Sequence, residues 1–253
     1  MVERIGAWLV ASVHSTMSQT PSARRITLDV PDWPGSAAGQ HIDVRLTAPD
    51  GYTAVRSYSL ASWGTAPRIE LAVDEVPNGE VSPYLVQELQ PGDQLEIRGP
   101  LGAWFVWEPT GDETTTDGGA TSAPVQLICG GSGIVPLMAM IRAHADTESP
   151  VQFRLLYSVR SPADVFFADE LASRADSPFL DVTFIYTRQA PDGWPIPVGR
   201  ATRAVLAAAT LPAADAPAVF VCGPTGFVES VADSLVALGH DPLAVKTERF
   251  GGA

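Results

Sequence analysis

The chain changes its hydrophobic period once, and the change falls across a polar stretch. Before residue 109 apolar residues alternate with polar ones in short segments, as in His41–Leu46 (HIDVRL) and Arg68–Val73 (RIELAV). After residue 124 they form unbroken runs, Val125–Cys129 (VQLIC) and Ala218–Cys222 (AVFVC), separated by segments that read as helices. A period of two marks strands with one wet face, whereas unbroken runs suit strands buried on both faces of a parallel sheet. The two patterns belong to different layer architectures, so the chain reads as two domains. Residues 109–124 (PTGDETTTDGGATSAP) hold no large apolar anchor and form the natural boundary, although a surface insertion would look the same. The expected division is 1–108, an acidic linker 109–124, and 125–253.

In the first half, strands are expected over residues 4–13, Arg24–Val30, His41–Leu46, Tyr52–Ser59, Arg68–Val73 and Asp93–Arg98. Asp50-Gly51 is a tight-hairpin signal. Short strands at close spacing predict a six-stranded antiparallel β-barrel. Ser82 is placed to cap a helix over Tyr84–Leu89, with Pro83 at its first position. The amino end of that helix could hold an anion, or be a cap and nothing more. Gly99–Gly102 reads as a turn, and the aromatics of Ala103–Trp107 as a barrel plug.

In the second half, strands are expected at Val125–Cys129, Val151–Val159, Phe179–Thr187 and Ala218–Cys222. Helices are expected at Leu137–His144, Phe166–Ser173, Arg200–Ala209 and Phe227–Leu238. Alternation of this kind predicts a Rossmann-like α/β domain with a parallel sheet. Gly130-Gly131-Ser132-Gly133 joins the first strand to the first helix, the layout that cradles a phosphate. Ligands of such sheets bind outside the carboxyl ends of the strands. Ser158, Arg160, Thr187, Arg188, Cys222 and Gly223 fall at those ends, although each arginine alone would read as a solvated surface residue.

Composition removes several classes. A net charge of −13 opposes binding to nucleic acid. Two cysteines are too few to ligate an iron–sulfur cluster. The four histidines are scattered, so no metal site is expected. No signal peptide and no membrane-spanning run is evident, and a cytoplasmic location is expected.

The densest chemistry lies in Arg56-Ser57-Tyr58-Ser59-Leu60-Ala61-Ser62. On a strand Arg56 and Tyr58 share one face and Ser57 and Ser59 the other. A guanidinium for a phosphate, a ring for stacking and a small hydroxyl suit a phosphorylated planar heterocycle such as a flavin. An ordinary strand with an exposed arginine and a rim tyrosine would look alike.

Four motifs in order make the chain resemble the ferredoxin–NADP⁺ reductase superfamily, from about residue 4 to the carboxyl terminus. Arg56-Ser57-Tyr58-Ser59 is similar to its flavin motif, and Gly79-Glu80-Val81-Ser82 to its pyrophosphate turn. Cys129-Gly130-Gly131-Ser132-Gly133-Ile134-Val135-Pro136 is similar to its pyridine-nucleotide loop, and Cys222-Gly223-Pro224 to the turn beside the nicotinamide. The resemblance implies FAD rather than FMN, held by Arg56 and by Ser82 with the neighbouring Gly79 and Val81 backbone. It implies that Tyr58 stacks on the isoalloxazine and Ser59 donates toward flavin N5. Ser158 and Arg160 match positions that contact the 2′-phosphate of NADP, with Arg188 and Arg200 as further candidates. NADPH is therefore the expected coenzyme and NADH the alternative. Phe250 is a candidate to stack over the flavin and Glu248 a candidate proton or hydrogen-bond partner, although an edge strand with a frayed tail fits the same residues. The activity implied is an FAD-dependent NAD(P)H oxidoreductase, with Ser59 and Cys222 shaping the hydride pocket. Its acceptor is then a separate redox protein, such as a ferredoxin, haem or molybdenum protein. The alternatives are a free-flavin or quinone reductase and a non-catalytic electron-transfer subunit.

Overall fold

The computed structural model describes residues 7–109 and 123–251. Most of the expected linker, and the start of the first expected strand, lie outside the described residues. The chain forms two compact units: the first runs to Trp107 and takes in Met138–Arg142, and the second takes the rest.

In the first unit six strands form one antiparallel sheet: β1 Leu9–Thr20, β2 Ala23–Asp29, β3 His41–Thr47, β4 Thr53–Ser59, β5 Arg68–Asp74 and β6 Gln94–Leu101. The order is β4-β3-β6-β1-β2-β5, and an isolated bridge between Leu60 and Leu71 brings the end of β4 to β5, closing the sheet into a barrel. Alternate residues fill it. Ile26, Leu28, Ile42, Val44, Ile69, Leu71 and Ile97 are almost wholly buried in one cluster, the inward half of each period-two pattern.

Two local expectations are corrected here, and the short helix is found within a residue of its expected span. β6 runs through Gly99-Pro100 instead of turning, and its pairing with β3 shifts register between His41 and Asp43. Proline lacks the N–H a ladder needs, so such an irregularity is where a strand can accept it. The helix at 84 is a single five-residue turn, Tyr84–Glu88, closed by the Leu89 N–H on the Tyr84 carbonyl at 3.0 Å. Its Leu85, with Leu89 and Trp33, belongs to the barrel core. Of the aromatics expected as a plug, Phe105 and Trp107 are buried outside that cluster and Trp104 is 61% exposed.

In the second unit β7 Val125–Gly130, β8 Phe153–Val159, β9 Leu180–Tyr186, β10 Ala218–Pro224 and β11 Val245–Phe250 form a sheet of order β11-β10-β7-β8-β9. All four pairings are parallel. Helices α1 Ile134–Asp146, α2 Ala168–Ser173, α3 Arg203–Ala209 and α4 Thr225–Ala237 connect them. Every residue of β7 is buried, as an apolar run at the centre of such a sheet requires. Helix α3 starts at Arg203 and not Arg200, because the Thr202 hydroxyl accepts the Val205 N–H at its amino end. No helix among the described residues is long and apolar enough to cross a membrane.

Replacing Leu85 with Ala tests whether the short helix is part of the barrel core. Urea denaturation should show a loss of about 2–4 kcal/mol; a loss below about 1 kcal/mol would mean that this turn is a surface appendage.

Candidate functional site

The loop that holds Asp50-Gly51, closed by the Ala48 N–H on the Tyr52 carbonyl, sets the register of the β3–β4 hairpin. Gly51 has φ 89°, and the Tyr52 N–H donates to the Asp50 carboxylate at 3.0 Å. Arg56 then faces Val44, Ser57 faces Asp43, Tyr58 faces Ile42 and Ser59 faces His41. Arg56 and Tyr58 therefore share the face of two core residues, and Ser57 and Ser59 the opposite one. Tyr58 packs against the barrel core. Burial pushes its phenol up to about 12, so it stays a neutral hydrogen-bonding group.

The opposite face carries a polar row. The Ser57 hydroxyl donates to one Asp43 oxygen at 2.7 Å, and Arg98 donates to the other at 2.5 Å. Burial opposes the charge on Asp43, but the bonds from Arg98 and Ser57 prevail and hold its carboxyl below the usual range. His41, half-buried opposite Ser59, has its pKa lowered by burial against the pull of Asp43, which favours the neutral imidazole.

The turn at Gly79–Ser82 is built differently from expectation. The Ser82 hydroxyl accepts the Val76 N–H at 3.0 Å and caps no helix. The Gly79 N–H donates to the Val76 carbonyl at 2.9 Å, and a Cβ at Gly79 would lie 2.9 Å from that oxygen. Val81 and Ser82 are buried, so the turn offers a ligand its backbone and the exposed Glu80. Glu80 is the residue that sequence reasoning passed over: it pairs with Arg56 and accepts from the Tyr52 hydroxyl at 2.5 Å. Its only sequence signal is a carboxylate inside a turn expected to meet an anion.

In the second unit the expected residues do converge at the carboxyl edge of the sheet. Gly130 lies beside Ser158 across β7 and β8, and Cys129 beside Cys222 across β7 and β10. The Thr187 N–H donates to the Val159 carbonyl at 2.8 Å, and the Arg188 N–H to the Arg160 carbonyl at 2.9 Å. Arg160, Arg188 and Arg200 are exposed, and Arg160 has Asp164 3.9 Å away. Glu248 lies beside Cys222, and Phe250 beside Pro224, in β11. Burial and then the Glu248 charge push the Cys222 thiol well up, which favours its neutral form. Phe250, 37% exposed, ends a strand, as one of the two readings of the tail expected.

The glycine loop passes the test for a nucleotide cradle. A Cβ at Gly133 would lie 2.2 Å from the Cys222 carbonyl oxygen, so only glycine lets the loop close on β10. Gly131, at φ 55°, turns the chain into α1, whose 13 residues supply N–H groups and a dipole at the loop. Arg56 beside Tyr58 likewise supplies the cation and ring that a phosphorylated flavin needs. Among the described residues no cluster of three His, Cys, Asp or Glu could hold a metal ion.

Comparison with known proteins finds family models for two regions of the chain. A family model described as "Oxidoreductase FAD-binding domain" matches residues 11–106, and one described as "Oxidoreductase NAD-binding domain" matches residues 127–233. The chain is 30% identical over 217 residues to the glycine betaine monooxygenase reductase subunit of Chromohalobacter salexigens, covering 84% of this chain and 55% of that protein. It is 30% identical over 230 residues to the NADH oxidoreductase HCR of Escherichia coli, covering 90% of this chain and 64% of that one. It thus spans between about half and two thirds of these relatives. Among solved structures it superposes on the flavohem-like FAD/NAD-binding domain of nitric oxide dioxygenase from Vibrio cholerae with TM-score 0.82, 25% identity and coverage of 96% and 99% of the two chains. The cytochrome P450 reductase of Amycolatopsis gives TM-score 0.80 at 27% identity, covering 97% of this chain and 70% of that one.

Two measurements test this geometry. Gly133→Ala should cost about 1–3 kcal/mol in urea denaturation by overpacking; unchanged stability would refute the close approach. Because the folded-state pKa of Asp43 lies below its ordinary 3.8, the pair with Arg98 contributes stability above that value that is lost as pH falls through the folded pKa. The acid limb of the Tm profile should be shallower in Asp43→Asn than in the unaltered protein.

Proposed function

The chain belongs to the ferredoxin–NADP⁺ reductase superfamily, and from that premise we infer that it is an FAD-dependent NAD(P)H oxidoreductase that passes electrons to a separate acceptor. The observation that carries this reading is the glycine loop closed against the Cys222 carbonyl at the amino end of α1. When bound, the two cofactors supply hydride transfer. The chain contributes charge placement and alignment. Arg56 and the backbone of the Gly79–Ser82 turn would hold the flavin phosphates, and Tyr58 its ring. Ser59 would present a hydroxyl to flavin N5. Gly130, Gly131 and Gly133 with the end of α1 would take the coenzyme pyrophosphate. Cys222, Gly223 and Pro224 would border the nicotinamide, with Glu248 and Phe250 beside them in β11.

Ser158, Thr187, Arg160, Arg188 and Arg200 support NADPH, since a forked guanidinium suits a 2′-phosphate. The relative named a reductase subunit of a monooxygenase supports a protein acceptor, and ferredoxin, haem and molybdenum proteins share the required redox role. A cytoplasmic location is part of this reading, in keeping with described helices none of which is long and apolar enough to cross a membrane. The pairing of Arg56 with Glu80 favours one second reading, a reductase of free flavins or quinones whose flavin exchanges.

Anaerobic titration with NADPH and, separately, NADH tests the assignment through the flavin absorbance. Bleaching by NADPH at low concentration supports it; a bound flavin that neither coenzyme reduces indicates a non-catalytic subunit. Arg160→Ala should weaken NADPH over NADH by roughly 1.5–3 kcal/mol, as loss of a charge-assisted phosphate contact would. Equal losses would move the phosphate site elsewhere.

A further inference from the structure

We propose that Glu80 is a built-in competitor for the flavin phosphate: its carboxylate occupies the Arg56 guanidinium, and a phosphorylated flavin binds by displacing it. This rests on the reading of Arg56 as a phosphate ligand.

Both Glu80 oxygens are engaged, Oε2 by Arg56 Nη2 and Oε1 by the Tyr52 hydroxyl. The other terminal nitrogen of Arg56 donates to the Val55 carbonyl at 2.8 Å. Two separately anchored turns converge on this one cation. Tyr52 belongs to the Asp50-Gly51 hairpin, tied by its own N–H to Asp50. Glu80 belongs to the turn held by Val76, whose N–H is taken by Ser82 and whose carbonyl is taken by Gly79. The carboxylate is thus delivered to Arg56 by backbone geometry, not by a floppy approach. The Tyr52 hydroxyl, with Arg56, keeps Glu80 ionised below the ordinary carboxylate range, so the competitor is charged at any working pH.

The pair is nonetheless displaceable. Its side chains are 53% and 43% exposed, and an exposed ion pair in water is held weakly. A phosphate brings more charge and more acceptor oxygens to the same fork. Beside the pair lies a cavity of about 490 Å³ bordered by Tyr52, Glu80, Tyr84, Arg45 and Glu96, which gives the displaced carboxylate room. Glu80 would therefore weaken phosphorylated flavins and leave riboflavin, which has no phosphate, untouched. That makes it a determinant of how readily FAD exchanges.

The test is a fluorescence titration of the flavin-stripped full chain with FAD and with riboflavin. Glu80→Gln should tighten FAD roughly three- to tenfold and leave riboflavin unchanged. Glu80→Ala should move FAD in the same direction, and Tyr52→Phe should tighten it less. In an Arg56→Met background Glu80→Gln should have no effect on FAD. If Arg56→Met weakens FAD but Glu80→Gln weakens it or leaves it unchanged, Glu80 is not a competitor and the phosphate role of Arg56 stands. If Arg56→Met alters FAD no more than riboflavin, that role fails and the proposal fails with it.

Discussion

The second unit depends on one close approach, that of Gly133 to the carbonyl of Cys222. A side chain there would overlap the backbone of β10, so the loop after β7 would stand off the sheet. With glycine it does not, and three things follow together. Helix α1 starts directly over the sheet edge, its N–H groups are presented at that edge, and the ends of β7 and β10 are fixed against each other. The N–H-rich edge that results suits an anion. The arginines after β8 and β9 add side-chain charge around it. A chain carrying −13 net charge needs such local concentration of donors to attract a phosphorylated coenzyme.

The first unit solves a different problem. Its strand β4 must expose a cation and an aromatic ring from a face that elsewhere is apolar core. Tyr58 manages this by packing its ring on the core while keeping a neutral phenol. Arg56 manages it by lying nearer the hairpin, where its guanidinium meets Glu80 and the Val55 carbonyl. The opposite face of the same strand is held by the Ser57–Asp43–Arg98 row, in which one buried carboxylate accepts from two strands. The strand is therefore anchored by one face and offers chemistry from the other.

Membership of the superfamily accounts for the presence of both units, and the family matches cover each separately. It does not account for Glu80. The glycine and serine of that turn are used structurally, toward Val76, Val81 is buried, and Glu80 is turned outward with a charge opposite to that of the arginine it meets. In the proposed reading the turn meets a flavin phosphate and also carries a carboxylate, and the two compete for the same cation.

Much of this was legible in the residues. The switch of period separated antiparallel from parallel sheet because alternation and unbroken burial are local consequences of how many faces a strand buries. Asp50-Gly51 marked the hairpin, but the register that sets Ser57 opposite Asp43 and Ser59 opposite His41 comes from the longer loop closed by the Ala48 N–H on the Tyr52 carbonyl, which the dipeptide does not record. Strand, glycine loop and helix start were readable because all three lie within a dozen residues. What local pattern could not supply was strand order. Inserting β6 between β1 and β3 is what brings Arg98 to Asp43, and no nearby residue records it. Turn geometry was equally hidden: Ser82 has the right chemistry and place for a helix cap, yet its hydroxyl accepts the Val76 N–H and the helix has no side-chain cap. The same folding brings Glu80 to Arg56 across 24 residues of chain. Sequence by itself determined the elements, the two-unit architecture and the kinds of ligand its motifs suit. Tertiary structure alone decided which charges meet, because a contact between distant residues depends on the order of strands, which propensity and spacing do not encode.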